Sequence, residues 1–124
     1  METLVDILDD SVQRYGSNTA LKFWSHRESY SWSYKEMDET SRLVASMLKS
    51  IGILKGDRVL IWGPNRPEWV AALLGCFRAG AIAVPFDLRA KEDFLLRIID
   101  KAQPKVLIAG REQMTALPGM GNQV

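Results

Sequence analysis

The segment Arg58–Asp87, RVLIWGPNRPEWVAALLGCFRAGAIAVPFD, reads as a short apolar strand, a polar turn, a mostly apolar helix and a second apolar strand. Arg58–Trp62 is too short for a helix and is bounded by Gly56-Asp57 and Gly63-Pro64, which favours a strand. Pro67 suits the first turn of the following helix, where its missing N–H has no intrahelical partner to lose. From Pro67 to Ala79 the only charged residues are Glu68 and Arg78. A helix this apolar around its circumference is expected to be buried on more than one side. Gly80 stands where a left-handed residue ends a helix at little cost. Ala81–Val84 then gives a second strand, closed by Pro85. Two apolar strands joined by a helix pair in parallel, with a right-handed crossover.

Downstream, Phe86–Ala90 reads as a linker into an amphipathic helix over Lys91–Lys101, with Phe94, Leu95, Ile98, Ile99 and Ala102 on its buried side. Gln103-Pro104 breaks it, and Lys105–Ala109 is a third short strand. Strand–helix–strand–helix–strand argues a doubly wound parallel sheet with helices on both faces. Upstream, Thr3 can cap a helix whose Leu4, Leu8, Val12 and Tyr15 share one stripe. Gly16-Ser17-Asn18 ends that helix. Thr19–Trp24 and Glu28–Trp32 flank Ser25-His26-Arg27 as a β-hairpin. Ser33 and Glu36 form a capping box for a long helix. Its inner face is read as Tyr34, Met37, Ser41, Val44, Leu48 and Ile51, with Lys35, Asp38, Glu39, Arg42 and Lys49 opposite. The fold class is therefore α/β: a partial doubly wound parallel sheet preceded by a helix and a hairpin, in one domain over residues 1–124. Residues 110–124 read as a poorly packed tail, with the start of a helix near Glu112. The last parallel strand is left as an open sheet edge, which complete proteins usually cover. Either another chain covers it or this chain is the front of something longer.

Composition bounds the function. The chain has 124 residues and a net charge of +1, so no basic surface argues for nucleic acid or an anionic membrane. No apolar run is long enough for a transmembrane segment. The acidic N-terminus METLVDILDD does not resemble a signal peptide. A single cysteine, Cys76, excludes an internal disulfide and fits a reducing, cytoplasmic setting.

The chemistry-bearing residues are few. The turn Gly63-Pro64-Asn65-Arg66-Pro67 matches neither a dinucleotide-binding glycine pattern nor a P-loop, and its prolines remove N–H donors. Arg66 beside a helix N-terminus can attract an anion, but the plainer reading is a rigid turn. Asp87, just past a parallel strand and followed by Arg89, is either a ligand contact or a solvated ion pair. His26 sits in the expected hairpin loop and reads as a loop residue rather than a catalytic one. Cys76, among Leu73, Leu74 and Phe77, reads as a small core residue. Trp24 and Trp32 read as a cross-strand cluster rather than a ligand cage. No catalytic, cofactor-binding or metal-ligating residue is assigned.

Three segments carry a resemblance. Ser33-Tyr34-Lys35-Glu36-Met37 is similar to a T-Y-x-E-L motif, Lys55–Glu68 (KGDRVLIWGPNRPE) to K-G-D-R-V…N-x-P-E, and Arg78–Asp87 (RAGAIAVPFD) to K-A-G-A-x-x-V-P-x-[DN], with arginine in place of lysine. In order and spacing they resemble the N-terminal part of the adenylate-forming superfamily, with a slight lean toward acyl-CoA synthetases. The resemblance implies a full-length ligase that uses ATP and magnesium to make an acyl-adenylate and then transfers the acyl group to coenzyme A. The family's phosphate loop, adenine and ribose contacts and catalytic lysine have no match here. The expectation is an N-terminal fragment, inactive alone, whose partner is the remainder of the synthetase or a complementing chain at the open sheet edge, with self-association through that edge also possible. The alternative is a short non-catalytic interaction module built on the same fold.

Overall fold

The computed structural model describes residues 3–25 and 27–115. In order the elements are α1 (Leu4–Tyr15), β1 (Thr19–Trp24), β2 (Ser29–Ser33), α2 (Tyr34–Ser50), β3 (Arg58–Trp62), α3 (Pro67–Ala79), β4 (Ile82–Phe86), α4 (Glu92–Ala102), β5 (Val106–Ala109) and α5 (Arg111–Thr115). β1 and β2 pair antiparallel, and β3 is the centre of a parallel sheet ordered β4-β3-β5.

Alternation along β3 explains the layering. Val59 and Ile61 point to one face, into a core with Leu48 and Ile53, and with Ala72 and Cys76 of α3. Leu60 and Trp62 point to the other, against Phe86 and Leu95 of α4. Side chains two apart share a sheet face, so one strand feeds two cores. The parallel sheet therefore has α2 and α3 on one side and α4 on the other, the doubly wound arrangement expected. Leu60 on the central strand is fully buried, whereas Ile82 on β4 is 52% exposed. β4 and β5 are both edges among the described residues.

Helix boundaries follow the caps. Thr3 and Asp6, and Ser33 and Glu36, form reciprocal capping boxes. Pro67 opens α3, and Gly80 closes it at φ 76°, in the left-handed region. Asp57 tightens the turn into β3: its carboxylate accepts the Leu54 N–H at 2.7 Å and lies 3.3 Å from the Lys105 ammonium. The Leu54 N–H first, and Lys105 with it, hold the Asp57 carboxyl below its ordinary value.

Several sequence expectations are corrected. β4 runs through Pro85 to Phe86 instead of closing at Pro85. On an edge strand one side of the backbone has no ladder to feed, so the missing N–H is tolerated. The second hairpin strand is Ser29–Ser33, one residue later than expected. Trp24 and Trp32 do not cluster: Trp32 pairs with Leu21, while Trp24 is 64% exposed on the opposite strand face, under the Lys22 ammonium at 5.0 Å. The aromatic pair in the hairpin is Phe23–Tyr30, with ring centroids 5.3 Å apart. On α1 only Leu8 is buried, and Leu4 and Tyr15 are exposed. On α4 Leu95 is the buried anchor, while Phe94, though stacked on Phe86, is largely exposed.

The contact between α2 and α3 also departs from the sequence reading. Asp38, placed on the solvent side, is buried, and Ile51, placed on the core side, is exposed. Asp38 turns inward because Arg78 of α3 is there to receive it. The Arg78 guanidinium, only 8% exposed, bonds Asp38, Asp9 at 2.8 Å and Ser41 Oγ at 3.0 Å, and so joins α1, α2 and α3. Arg42 adds bonds to Asp38 at 3.1 Å and Asp9 at 3.3 Å. Beside this network the helices meet at Gly75, where a Cβ would lie 2.5 Å from Val44 Cγ1.

Candidate functional site

The topology marks one place. From β3 the chain crosses through α3 to β4, and from β4 it crosses back through α4, on the other face, to β5. The loops leaving β3 and β5 therefore part at their C-terminal ends, where open α/β sheets form a ligand crevice. A cleft of about 740 Å³ lies there, between Ile61–Pro64, Arg66, Glu68, Trp69, Leu88 and Ile108–Gln113.

Two glycines bring its walls together. Gly110 N–H donates to the Trp62 carbonyl at 3.0 Å, and a Cβ on Gly63 would come within 3.2 Å of Gly110 N. Trp62 is 93% buried by the Phe86 edge contact and the α4 face (7% exposed), yet its Nε1–H has no partner among the described residues, and neither has Gln113 Oε1. A buried donor left unpaired costs stability, so these two atoms mark the part of the cleft least complete as it stands. Two residues that line the cleft are held by the hairpin: Tyr30 Oη donates to Glu68 at 3.3 Å, and the Arg66 guanidinium lies 5.0 Å over the Phe23 ring. Burial, and then the Glu68 charge, push the Tyr30 hydroxyl above its ordinary value.

The residues singled out from sequence fall as follows. Arg66 lines the cleft, but its guanidinium is held over Phe23 and its side chain makes no cap hydrogen bond to α3. Asp87 and Arg89 form an exposed pair at 3.7 Å, with the Arg89 N–H donating to Asp87 at 2.9 Å, which is the solvated loop of the plainer reading. His26 lies outside the described residues, as does 116–124 of the expected tail, whose residues Arg111–Thr115 form α5. Trp62 and Gln113 were not singled out; the position of Trp62 at the C-terminal end of a parallel strand is the signal that points to it.

Cys76 is fully buried in the α3 core, and burial pushes its thiol up to about 11. At pH 8 roughly one thiol in a thousand would ionise. Native protein is therefore expected to resist a thiol reagent for hours and to label stoichiometrically in denaturant. Rapid labelling of folded protein would show that α3 opens locally. No group of three metal-ligating side chains is present among the described residues. No described helix is long and apolar enough to cross a membrane. The cleft thus offers walls, an indole donor and two arginines, and no nucleophile–base pair.

A parallel α/β sheet with a C-terminal-edge cleft defines a class, and comparison with known proteins narrows it. The AMP-binding enzyme family profile matches residues 8–123, and the chain belongs to that family. It is similar to the human mitochondrial acyl-coenzyme A synthetase ACSM2B, 35% identical over 82 residues that are 65% of this chain and 14% of that protein. Crotonobetaine/carnitine–CoA ligase of Salmonella paratyphi A is 31% identical over 112 residues, 90% of this chain and 22% of that one. Among solved structures, a fatty acid AMP ligase from Legionella pneumophila superposes with a TM-score of 0.84 at 26% identity, over 92% of this chain and 20% of that one. The chain therefore spans 14% and 22% of the length of these two curated relatives.

Proposed function

We propose that this chain is the N-terminal scaffold of an ATP- and magnesium-dependent ligase that converts a carboxylate to an acyl-adenylate and passes the acyl group to coenzyme A. The supporting observation is the family match across nearly the whole chain, set against the small share of each relative that the chain spans. In that reading β3, β4 and β5 are the first parallel strands of a larger sheet, and the remainder of the synthetase pairs with a free edge and closes the cleft over Trp62 and Gln113. The isolated chain is then inactive, because its described residues supply no phosphate cradle and no catalytic base. Cytoplasmic fatty-acid activation is the setting this reading favours, with the acyl substrate left open to assay.

The open β4 and β5 edges also support a second reading, a short non-catalytic module that complements another chain. Carboxylate-dependent ATP–pyrophosphate exchange separates the two. Under the leading reading, the native protein purified from its source exchanges pyrophosphate with some carboxylate, and the 124-residue chain alone does not. Exchange by the chain alone would overturn the scaffold assignment. A native product no longer than this chain, without exchange, would favour the module.

A further inference from the structure

α1 is held to the rest of the chain at few points. Leu8 is its one buried residue and belongs to neither of the two sheet cores, while Leu4, Ile7 and Tyr15 are 60%, 49% and 48% exposed. The Thr3–Asp6 capping box and the Asp10–Arg14 pair lie within the helix and its cap, so they do nothing to dock it. A helix of 12 residues is marginal in water without such docking, so α1 is expected to melt whenever it leaves the surface of α2 and α3.

Asp9 is the tie at the middle. Its Oδ1 accepts from Arg78 Nη2 at 2.8 Å and from Arg42 Nη2 at 3.3 Å. Among the described residues no other α1 side chain makes a hydrogen bond or ion pair beyond the helix and its cap. Neither arginine depends on Asp9. Arg78 keeps Asp38 and Ser41 Oγ, and Arg42 keeps Asp38, so the contact between α2 and α3 survives without α1. The C-terminal end of α1 is anchored differently. The Gly16 and Asn18 carbonyls accept from the Lys35 and Tyr34 N–H groups, each at 3.0 Å. These bonds tie the linker to donors that the first turn of α2 leaves without helical partners.

We propose that α1 is a latched strap, which opens as a unit about Gly16–Asn18 while the parallel sheet, α2 and α3 stay folded. The Asp9 carboxylate on Arg78 is the latch. Opening uncovers the Arg78 guanidinium, only 8% exposed with α1 in place. The strap uses no group of the cleft, so its motion is independent of the scaffold reading.

Hydrogen exchange of the 124-residue chain, followed amide by amide, tests it. In the parent protein the α1 amides should exchange about a hundredfold faster than those of β3 and α3, the mark of local opening. Asp9→Asn should speed α1 exchange about a further tenfold and leave β3 and α3 unchanged, since a charge-assisted bond to a buried guanidinium is lost. Asp10→Asn is the control: it removes the neighbouring charge, whose partner is within α1, and should change exchange less than about twofold. Raising sodium chloride from about 0.05 M to about 0.5 M should open α1 in the parent more than in Asp9→Asn, because Asp9 is 45% exposed and screened by salt. This comparison separates the latch from a general weakening of the helix. Parent α1 amides as protected as those of β3 would overturn the proposal. So would an Asp9→Asn effect spread evenly over α1, β3 and α3, or one matched by Asp10→Asn.

Discussion

Gly75→Ala is expected to lower folding stability by about 2 kcal/mol, although alanine is the better helix former. On propensity alone the change in mid-helix would stabilise by about 1 kcal/mol. The geometry reverses the sign. The added Cβ would sit 2.5 Å from Val44 Cγ1, 2.6 Å from Val44 Cβ and 3.0 Å from the Ser41 carbonyl oxygen. Real Cβ atoms do not come that close. Val44 is β-branched with one preferred helical rotamer, so it cannot swing away, and the Ser41 carbonyl is fixed by its own helix. α2 must therefore move off α3, loosening the core around Leu48, Ala72 and Cys76. Overpacking of this kind typically costs about 1–3 kcal/mol, occasionally more. Gly75→Val should prevent cooperative folding. Urea midpoints measure the loss, and a double variant supplies the control: Val44→Ala in the Gly75→Ala background should recover part of the stability instead of adding a second loss. A Gly75→Ala protein as stable as the parent would mean that the two helices do not meet as closely as described.

Why the sequence does not show this contact is instructive. Gly75 occurs in an apolar helical stretch, and nothing local distinguishes a glycine kept for a close helix crossing from one that is merely tolerated. The need arises only when α2 is laid across α3. Asp38 follows the same logic. Its helical position is compatible with solvent, and it turns inward because Arg78, forty residues on, arrives from another helix. Features carried by one segment were legible: the Thr3 cap, the Ser33–Glu36 capping box, the span of α3, its left-handed Gly80, and the short apolar run that makes β3 a strand. Features carried by two segments were not. Trp24 and Trp32 could be placed on paired strands, but register set them on opposite faces, because Trp32 pairs with Leu21 and Trp24 with Ser29.

The candidate site was legible in outline only. Rules for open parallel sheets point to the loops after β3 and β5 before any coordinate is known. Its contents depend on long-range packing. Arg66 reads from sequence as an anion-seeking residue, but its guanidinium lies over Phe23 of the hairpin, a partner more than forty residues upstream. The unpaired Trp62 indole is visible only when the wall around it is counted atom by atom. Family membership follows from short motifs spread along the chain, and those motifs turn out to be architectural. Lys55–Glu68 supplies the turn at Asp57, the central strand and the start of α3, and Arg78–Asp87 supplies the end of α3 and all of β4.

The first residue of that last motif carries the other large effect. Arg78→Met is expected to cost about 3–5 kcal/mol, the range for removing one partner of a buried ion pair. Without the guanidinium, Asp38 keeps only Arg42, whose side chain is 57% exposed and whose pairing is correspondingly screened. Ser41 Oγ loses its donor in the same step. α1 suffers most, since the bridge from Arg78 to Asp9 is one of the few polar ties holding it to α3. Arg78→Lys should recover only part of the loss. One guanidinium reaches two carboxylates through Nη2 and a hydroxyl through Nε, whereas an ammonium is a single point on a flexible stem. The more telling variant removes both charges. Arg78→Met with Asp38→Leu leaves no unpaired buried charge and should be clearly more stable than Arg78→Met alone, because the cost of the single change comes largely from the carboxylate it strands. Urea denaturation of the four proteins, with helix content followed by circular dichroism, separates the cases. If Arg78→Met and the double variant are equally destabilised, the guanidinium acts through packing of its stem and not through charge.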